Sequence, residues 1–207
     1  MVTSKIVLFG GTFDPVHLGH TRVAAHARKH IGAEKIVLVP AKRSPLKGFM
    51  PRVADEDRLA MIVLATRDDP AVQVSDCEVK MPAPSYTLDT IRMFEARHPR
   101  SEFYWLVGAD GVDDLRLWHN ITDLLDACNI CTMYRAGYAK PDFGKYEAIW
   151  GPQRVKKLQR NVIATPLVEI SSTVVRKRIA EGKDVSEMLH PAVVQYIEQH
   201  NLYADTQ

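Results

Sequence analysis

Cysteine is scarce in this 207-residue chain: Cys77, Cys128 and Cys131 are the only three. An odd count with no signal-peptide pattern fits a reducing compartment, so the cytoplasm is the expected location. Cys128-Asn129-Ile130-Cys131 has a C-x-x-C spacing, which raises metal or redox chemistry. It lies, however, in a stretch that reads as a strand, where residues three apart face opposite sides. No second Cys or His pair is near enough to complete four ligands. Core cysteines are the better reading. Long apolar runs are also missing, and nothing approaches the roughly 20 residues that a membrane-spanning helix needs. A net charge of +2 is too small for a general nucleic-acid binder. Gly-x-x-x-x-Gly-Lys-Ser/Thr is absent, and Gly-x-Gly-x-x-Gly does not follow the first strand; the second absence argues against an NAD-dependent oxidoreductase. There is no Gly-x-Ser-x-Gly nucleophile turn.

What is present begins at Ile6-Val7-Leu8-Phe9, an apolar run that enters Gly10-Gly11-Thr12-Phe13-Asp14-Pro15-Val16-His17-Leu18-Gly19-His20. A buried strand ending in glycines and passing into a helix is how open α/β sheets build a phosphate site. Without a Cβ, Gly10 and Gly11 let backbone amides approach a ligand. A helix from Leu18 would turn its unpaired N–H groups, worth about half a positive charge, back toward that loop. His17 and His20 lie about one turn apart and can face one anion, as fixed charge and hydrogen-bond donors. Leu18 to Ile31 has helical spacing, Gly32 ends it, and Lys35 to Val39 is a second buried strand. This is a βαβ unit. The polar loop from Pro40 to Pro51 carries Lys42, Arg43 and Lys47 just past that strand, where either a ligand contact or plain solvation is possible.

Further on, Asp55 to Asp68 reads as a helix and Val72 to Val79 as a strand. Ser85 or Thr87 is placed to cap a helix running to about His98. Phe103 to Val107 is a buried strand that ends in Gly108-Ala109-Asp110-Gly111, repeating the handover at Gly10. Asp110 there suits ribose hydroxyls. Asn120 to Ala127 reads as a helix and Asn129 to Tyr134 as a strand. The least patterned region opens at Arg135 and continues to about Arg160; it reads as a surface excursion. Short strands are expected at Val162 to Ala164 and at Leu167-Val168. Ser171-Ser172-Thr173 then precedes a helix with Arg176, Lys177 and Arg178, a second anion-binding terminus. Pro191 to Gln199 is a packing helix. Two helix starts furnished for phosphate, with no nucleophile, suit nucleotidyl transfer, in which the catalyst positions a polyphosphate and neutralises developing charge.

The stretch from Gly10 to His20 resembles the HxGH loop of the nucleotidyltransferase superfamily, in the form used by bacterial nicotinate mononucleotide adenylyltransferases. Pro84-Ser85-Tyr86-Thr87, Gly108-Ala109-Asp110 with Trp118, Arg135-Ala136-Gly137-Tyr138, and Ile170-Ser171-Ser172-Thr173-Val174-Val175-Arg176 fall in that family's order. From about Asp142 to Arg160 no family pattern is found. The resemblance implies a Rossmann-like, mainly parallel α/β sheet with helices on both faces. It implies a single domain, residues 1–207, with a C-terminal helical piece from about 170. The implied reaction joins ATP and nicotinate mononucleotide to give deamido-NAD and pyrophosphate. By resemblance, His17, His20 and Arg176 are catalytic. Gly10, Gly11, Thr12, Phe13, Gly108, Asp110, Ser171, Ser172 and Thr173 bind ATP. Tyr86, Thr87, Trp118, Lys47 and Arg135 bind the mononucleotide, with Trp118 stacked on the pyridine ring. Mg²⁺ is expected on the ATP phosphates, with no dedicated metal site. Neither nucleic acid nor membrane is an expected partner, and a homo-oligomer is among the expected states. Transfer to nicotinamide mononucleotide, or to both bases, is the alternative; a non-catalytic nucleotide sensor is a more distant one.

Overall fold

Six short apolar runs form one parallel sheet in the computed structural model, which describes residues 4–46, 49–166 and 169–204. The strands are β1 (Ser4–Gly11), β2 (Lys35–Pro40), β3 (Val72–Val74), β4 (Ser101–Gly108), β5 (Asn129–Arg135) and β6 (Val162–Thr165). Their order across the sheet is β3-β2-β1-β4-β5-β6, and every neighbouring pair is parallel. This is the doubly wound order, in which the winding reverses between β1 and β4 and a crevice opens at their carboxyl ends. Gly10, Gly11 and Gly108 occupy those ends.

Parallel strands covered on both faces read as continuous apolar runs, and neighbouring residues feed opposite layers. Ile6 and Leu8 join the layer containing Leu88, Ile91, Leu124 and Leu158, whereas Val7 joins Ala24, Ala27, Met61 and Ile62. Cys128 and Cys131 likewise fall in opposite layers, both buried and unpaired. Burial pushes each thiol up to about 12, so neither is a ready nucleophile or metal ligand at neutral pH.

The helices are α1 (Leu18–Ile31), α2 (Asp55–Thr66), α3 (Cys77–Lys80), α4 (Thr87–Arg97), α5 (Ile121–Ala127), α6 (Glu147–Trp150), α7 (Pro152–Arg160), α8 (Ser172–Ala180) and α9 (Pro191–Gln199). Gly32 stops α1 with φ +67, a left-handed cap that glycine adopts without cost. The C-terminal residues Val175, Val193, Ile197 and Tyr203 pack into the same layer as α1 and α2.

Three expectations need correction. The strand expected over Val72 to Val79 stops at Val74, and Cys77–Lys80 is a helical turn. Its Glu78 carboxylate meets the Thr90 hydroxyl at 2.7 Å, which a continued edge strand would not allow. Neither Ser85 nor Thr87 caps α4: the N-cap position is Tyr86, and no side chain accepts a capping bond from the first amides of the helix. Residues 142–160 are no surface excursion. Phe143, Tyr146, Trp150, Val155 and Leu158 are all buried there, and Tyr146 stacks on Trp150 at 4.5 Å. The segment supplies the β5-to-β6 crossover and covers one face of the sheet. The strand expected at Leu167-Val168 and the loop contact expected of Lys47 lie outside the described residues.

Candidate active site

The site begins where β1 runs out of side chains. A Cβ on Gly10 would sit 2.3 Å from a ring carbon of Trp105, so no larger residue fits against that indole. Phe13 then takes φ +48, a left-handed conformation that costs a non-glycine residue roughly 1–2 kcal/mol. Its buried ring is held edge-on against Phe9 at 5.6 Å and His20 at 5.0 Å. Phe13 is therefore a packing residue whose backbone shapes the loop.

His17 is the N-cap position of α1, and its backbone N–H donates to His20 Nδ1 at 3.2 Å. The two imidazoles stack with centroids 3.7 Å apart. His17 is 6% exposed, and burial pushes its pKa down from 6.5 to about 4. It is thus a neutral imidazole at neutral pH, which corrects its expected role as a fixed charge; it can still donate a hydrogen bond. The start of α1 is also less open than expected, because the Leu18 amide donates to the Met188 carbonyl at 2.9 Å.

Distant segments clamp this loop from several sides. Arg58, fully buried on α2, donates to the Thr12 carbonyl at 2.7 Å and pairs with Asp55. The buried Asp14 carboxylate accepts from the Arg52 amide and from the Tyr203 hydroxyl, each at 2.7 Å. From α8, Ser172 Oγ donates to the Pro15 carbonyl at 2.9 Å and Arg176 Nη1 to the Asp14 carbonyl at 2.6 Å. Ser171 caps α8 by accepting from the Val174 amide at 3.3 Å. The two helix starts singled out in the sequence therefore meet at one loop, and Tyr203 ties the C-terminal segment to it.

Two cavities share the walls Phe9 and Gly108, on either side of the crevice between β1 and β4. The first, about 510 Å³, is bordered by Gly10, Gly11, Thr12, Tyr86, Thr87 and Trp118. The second, about 630 Å³, is bordered by His17, His20, Asp110, Arg135, Tyr138 and Ile170. A Cβ on Gly108 would lie 2.4 Å from Asp110 Oδ1, so that carboxylate folds over the end of β4. Arg135, expected with the mononucleotide group, instead shares a cavity with the His pair and Asp110. Ser172 and Arg176 bond the loop, but neither they nor Ser171 and Thr173 line either cavity. Among the described residues, no three His, Cys, Asp or Glu side chains converge as a metal cage.

Residues 8–178 match the family model described as cytidylyltransferase-like. The chain belongs to that family. Among its members, a probable nicotinate-nucleotide adenylyltransferase of Bacillus pumilus is 36% identical, over 96% of this chain and 98% of its own. Another of that description, from Dehalococcoides mccartyi, is 34% identical over 98% of both. A solved nicotinic acid mononucleotide adenylyltransferase of Plasmodium falciparum, complexed with NaAD, superposes with a TM-score of 0.75 over 98% of both chains. At 19% identity that likeness concerns the fold.

This cytidylyltransferase-like chain also holds site residues that motif reading passed over. His119, next to Trp118, stacks on Tyr86 at 4.4 Å and joins two walls of the first cavity. Glu78 contributes a buried carboxylate to the same cavity. Arg58, Asp14 and Tyr203 form polar pairs across long sequence separations, which no local pattern announces.

Proposed function

We infer that the protein transfers the adenylyl group of ATP to nicotinate mononucleotide, forming deamido-NAD and pyrophosphate for NAD biosynthesis. The observation that carries this reading is the pair of cavities joined at Phe9 and Gly108, one for each substrate. Near-full-length likeness to nicotinate-nucleotide adenylyltransferases supports it.

ATP takes the cavity of His17, His20 and Asp110, with Asp110 on the ribose; Gly10, Gly11 and Thr12, expected with ATP, line the other cavity and supply backbone contacts there, where the two substrates meet. It enters as its divalent-cation complex, with Mg²⁺ carried on the phosphates. Ser171, Ser172, Thr173 and Arg176 stand ready for the β- and γ-phosphates at the start of α8. Nicotinate mononucleotide takes the other cavity. Trp118 stacks on its pyridine ring, and backbone amides at the uncapped start of α4, near Tyr86 and Thr87, receive its carboxylate. An oxygen of the 5′-phosphate then attacks the α-phosphorus of ATP, and the bond to the β-phosphate oxygen breaks. No protein nucleophile is needed. The imidazoles donate hydrogen bonds to oxygens whose charge grows as pyrophosphate leaves. The protein's part is alignment and charge stabilisation. The whole chain acts as one nucleotidyltransferase domain, with the helical piece from about residue 170 bracing the loop.

An uncapped helix start favours a carboxylate over a carboxamide, so nicotinamide mononucleotide is the poorer substrate in this reading. A coupled pyrophosphate assay with ATP and each mononucleotide tests it. Turnover with the nicotinate form is expected. ATP binding without turnover on either substrate would point instead to a nucleotide sensor.

A further inference from the structure

Among the described residues, Glu78 is the single carboxylate in the wall of the first cavity, and it is 4% exposed. An acid beside a site for an anionic base is out of place unless its lone pairs are engaged elsewhere. They are. Thr90 Oγ1, fully buried on the first turns of α4, donates to Glu78 Oε1 at 2.7 Å and lies 3.5 Å from the Tyr86 carbonyl oxygen, and the Ser85 hydroxyl stands beside the same carboxylate. Ser85 Oγ in turn accepts from the Lys42 amide at 3.1 Å, while its own N–H donates to the Arg43 carbonyl at 3.0 Å. Burial pushes the Glu78 carboxyl above its usual range, and these two hydroxyl donors oppose that shift. One side chain thus joins α3, the loop after β2 and the residues on both sides of the α4 start.

We propose that Glu78 is a positioning residue for the pyridine half of the site. Through Ser85 and Thr90, its carboxylate fixes the Ser85-Tyr86-Thr87 turn so that backbone amides face the carboxylate of the substrate's base. The inference rests on the functional reading above. Glutamine at 78 keeps the shape but leaves one hydroxyl without its acceptor. Valine at 90 keeps the shape and removes the donor from a side chain that lines neither cavity.

Nicotinate mononucleotide binding to the full chain is measured by calorimetry for wild type, Glu78→Gln, Thr90→Val and the double variant, alongside KM for both substrates and melting curves. Loss of one hydrogen bond to a charged group predicts about tenfold weaker mononucleotide binding in each single variant. KM for ATP should stay within about twofold, and the double variant should be scarcely worse than Glu78→Gln, because the two residues act through one contact. Equal weakening toward ATP and mononucleotide, fully additive effects, or unchanged mononucleotide affinity in folded Thr90→Val would overturn the role of Glu78. If wild type turns over the substrate and every variant binds it equally well, only this inference falls. If wild type neither binds nor converts nicotinate mononucleotide, the functional reading falls and takes this one with it.

Discussion

Replacing Tyr203 with phenylalanine removes one hydroxyl four residues from the end of the chain, yet the effect should appear at the phosphate loop. That hydroxyl donates to Asp14 Oδ1 at 2.7 Å, and both residues are buried, at 6% and 3% exposure. The other Asp14 oxygen is held by the Arg52 amide, and the Asp14 carbonyl by Arg176. Phenylalanine preserves the ring packing, so no cavity forms and the cost is that of a hydrogen bond to a charged group, about 1.5–3 kcal/mol. A loss near 2 kcal/mol corresponds to a fall in Tm of about 4–8 °C in a chain of this size. Urea unfolding should show a lower midpoint with an unchanged slope, because the surface exposed on unfolding stays the same. Asp14 precedes His17 by three residues, so kcat should fall several-fold in protein that is still folded. A stability change below about 0.5 kcal/mol, the range of an ordinary surface substitution, would refute the claim that the C-terminal segment clamps this loop.

His17→Ala and His20→Ala should each lower kcat by about 10²–10³, the usual cost of removing a preorganised donor to developing negative charge; turnover within threefold of wild type in steady-state assays would remove them from the mechanism. Trp118→Ala should raise KM for the mononucleotide far more than KM for ATP, and equal rises would reject stacking on the pyridine ring. His17 also makes stability depend on pH. Its pKa is 6.5 unperturbed and about 4 when folded, so the unfolded chain binds the extra proton between those values. Stability is fully present above pH 6.5 and lost as pH falls toward 4, by at most about 3.5 kcal/mol. Urea titrations across that window should show a shallower slope for His17→Gln, and an unchanged slope would contradict the burial assigned to this ring.

The parts of the fold confined to one segment were legible in the sequence. The β1–loop–α1 unit could be read because strand, glycine pair and helix are contiguous, and the observed α1, Leu18–Ile31, has the expected bounds. The strand β5 placed Cys128 and Cys131 in opposite layers, as alternation requires. Residues 142–160 were misread because Gly151 and Pro152 interrupt the period, although Phe143, Tyr146 and Trp150 keep helical i, i+3, i+7 spacing before the break. At the strand after α2, the alternation of Val72 and Val74 breaks at Asp76, and Cys77 and Val79 resume it out of phase; the chain turns away there to bring Glu78 beneath α4. The clamp on the loop could not be read at all. Arg58 to Thr12 and Tyr203 to Asp14 are polar contacts across 46 and 189 positions, and local periodicity carries no information about such pairs. Burial of His17 was equally invisible, and it replaced an expected charge with a neutral donor.

The central claim is transfer of the adenylyl group between two substrates held in adjoining cavities, and label transfer tests it directly. ATP labelled at the α-phosphate, incubated with the protein and nicotinate mononucleotide, should pass its label into deamido-NAD, while label at the γ-phosphate should appear only in pyrophosphate. Label that remains in ATP, or a γ-phosphate delivered to the mononucleotide, would contradict the account.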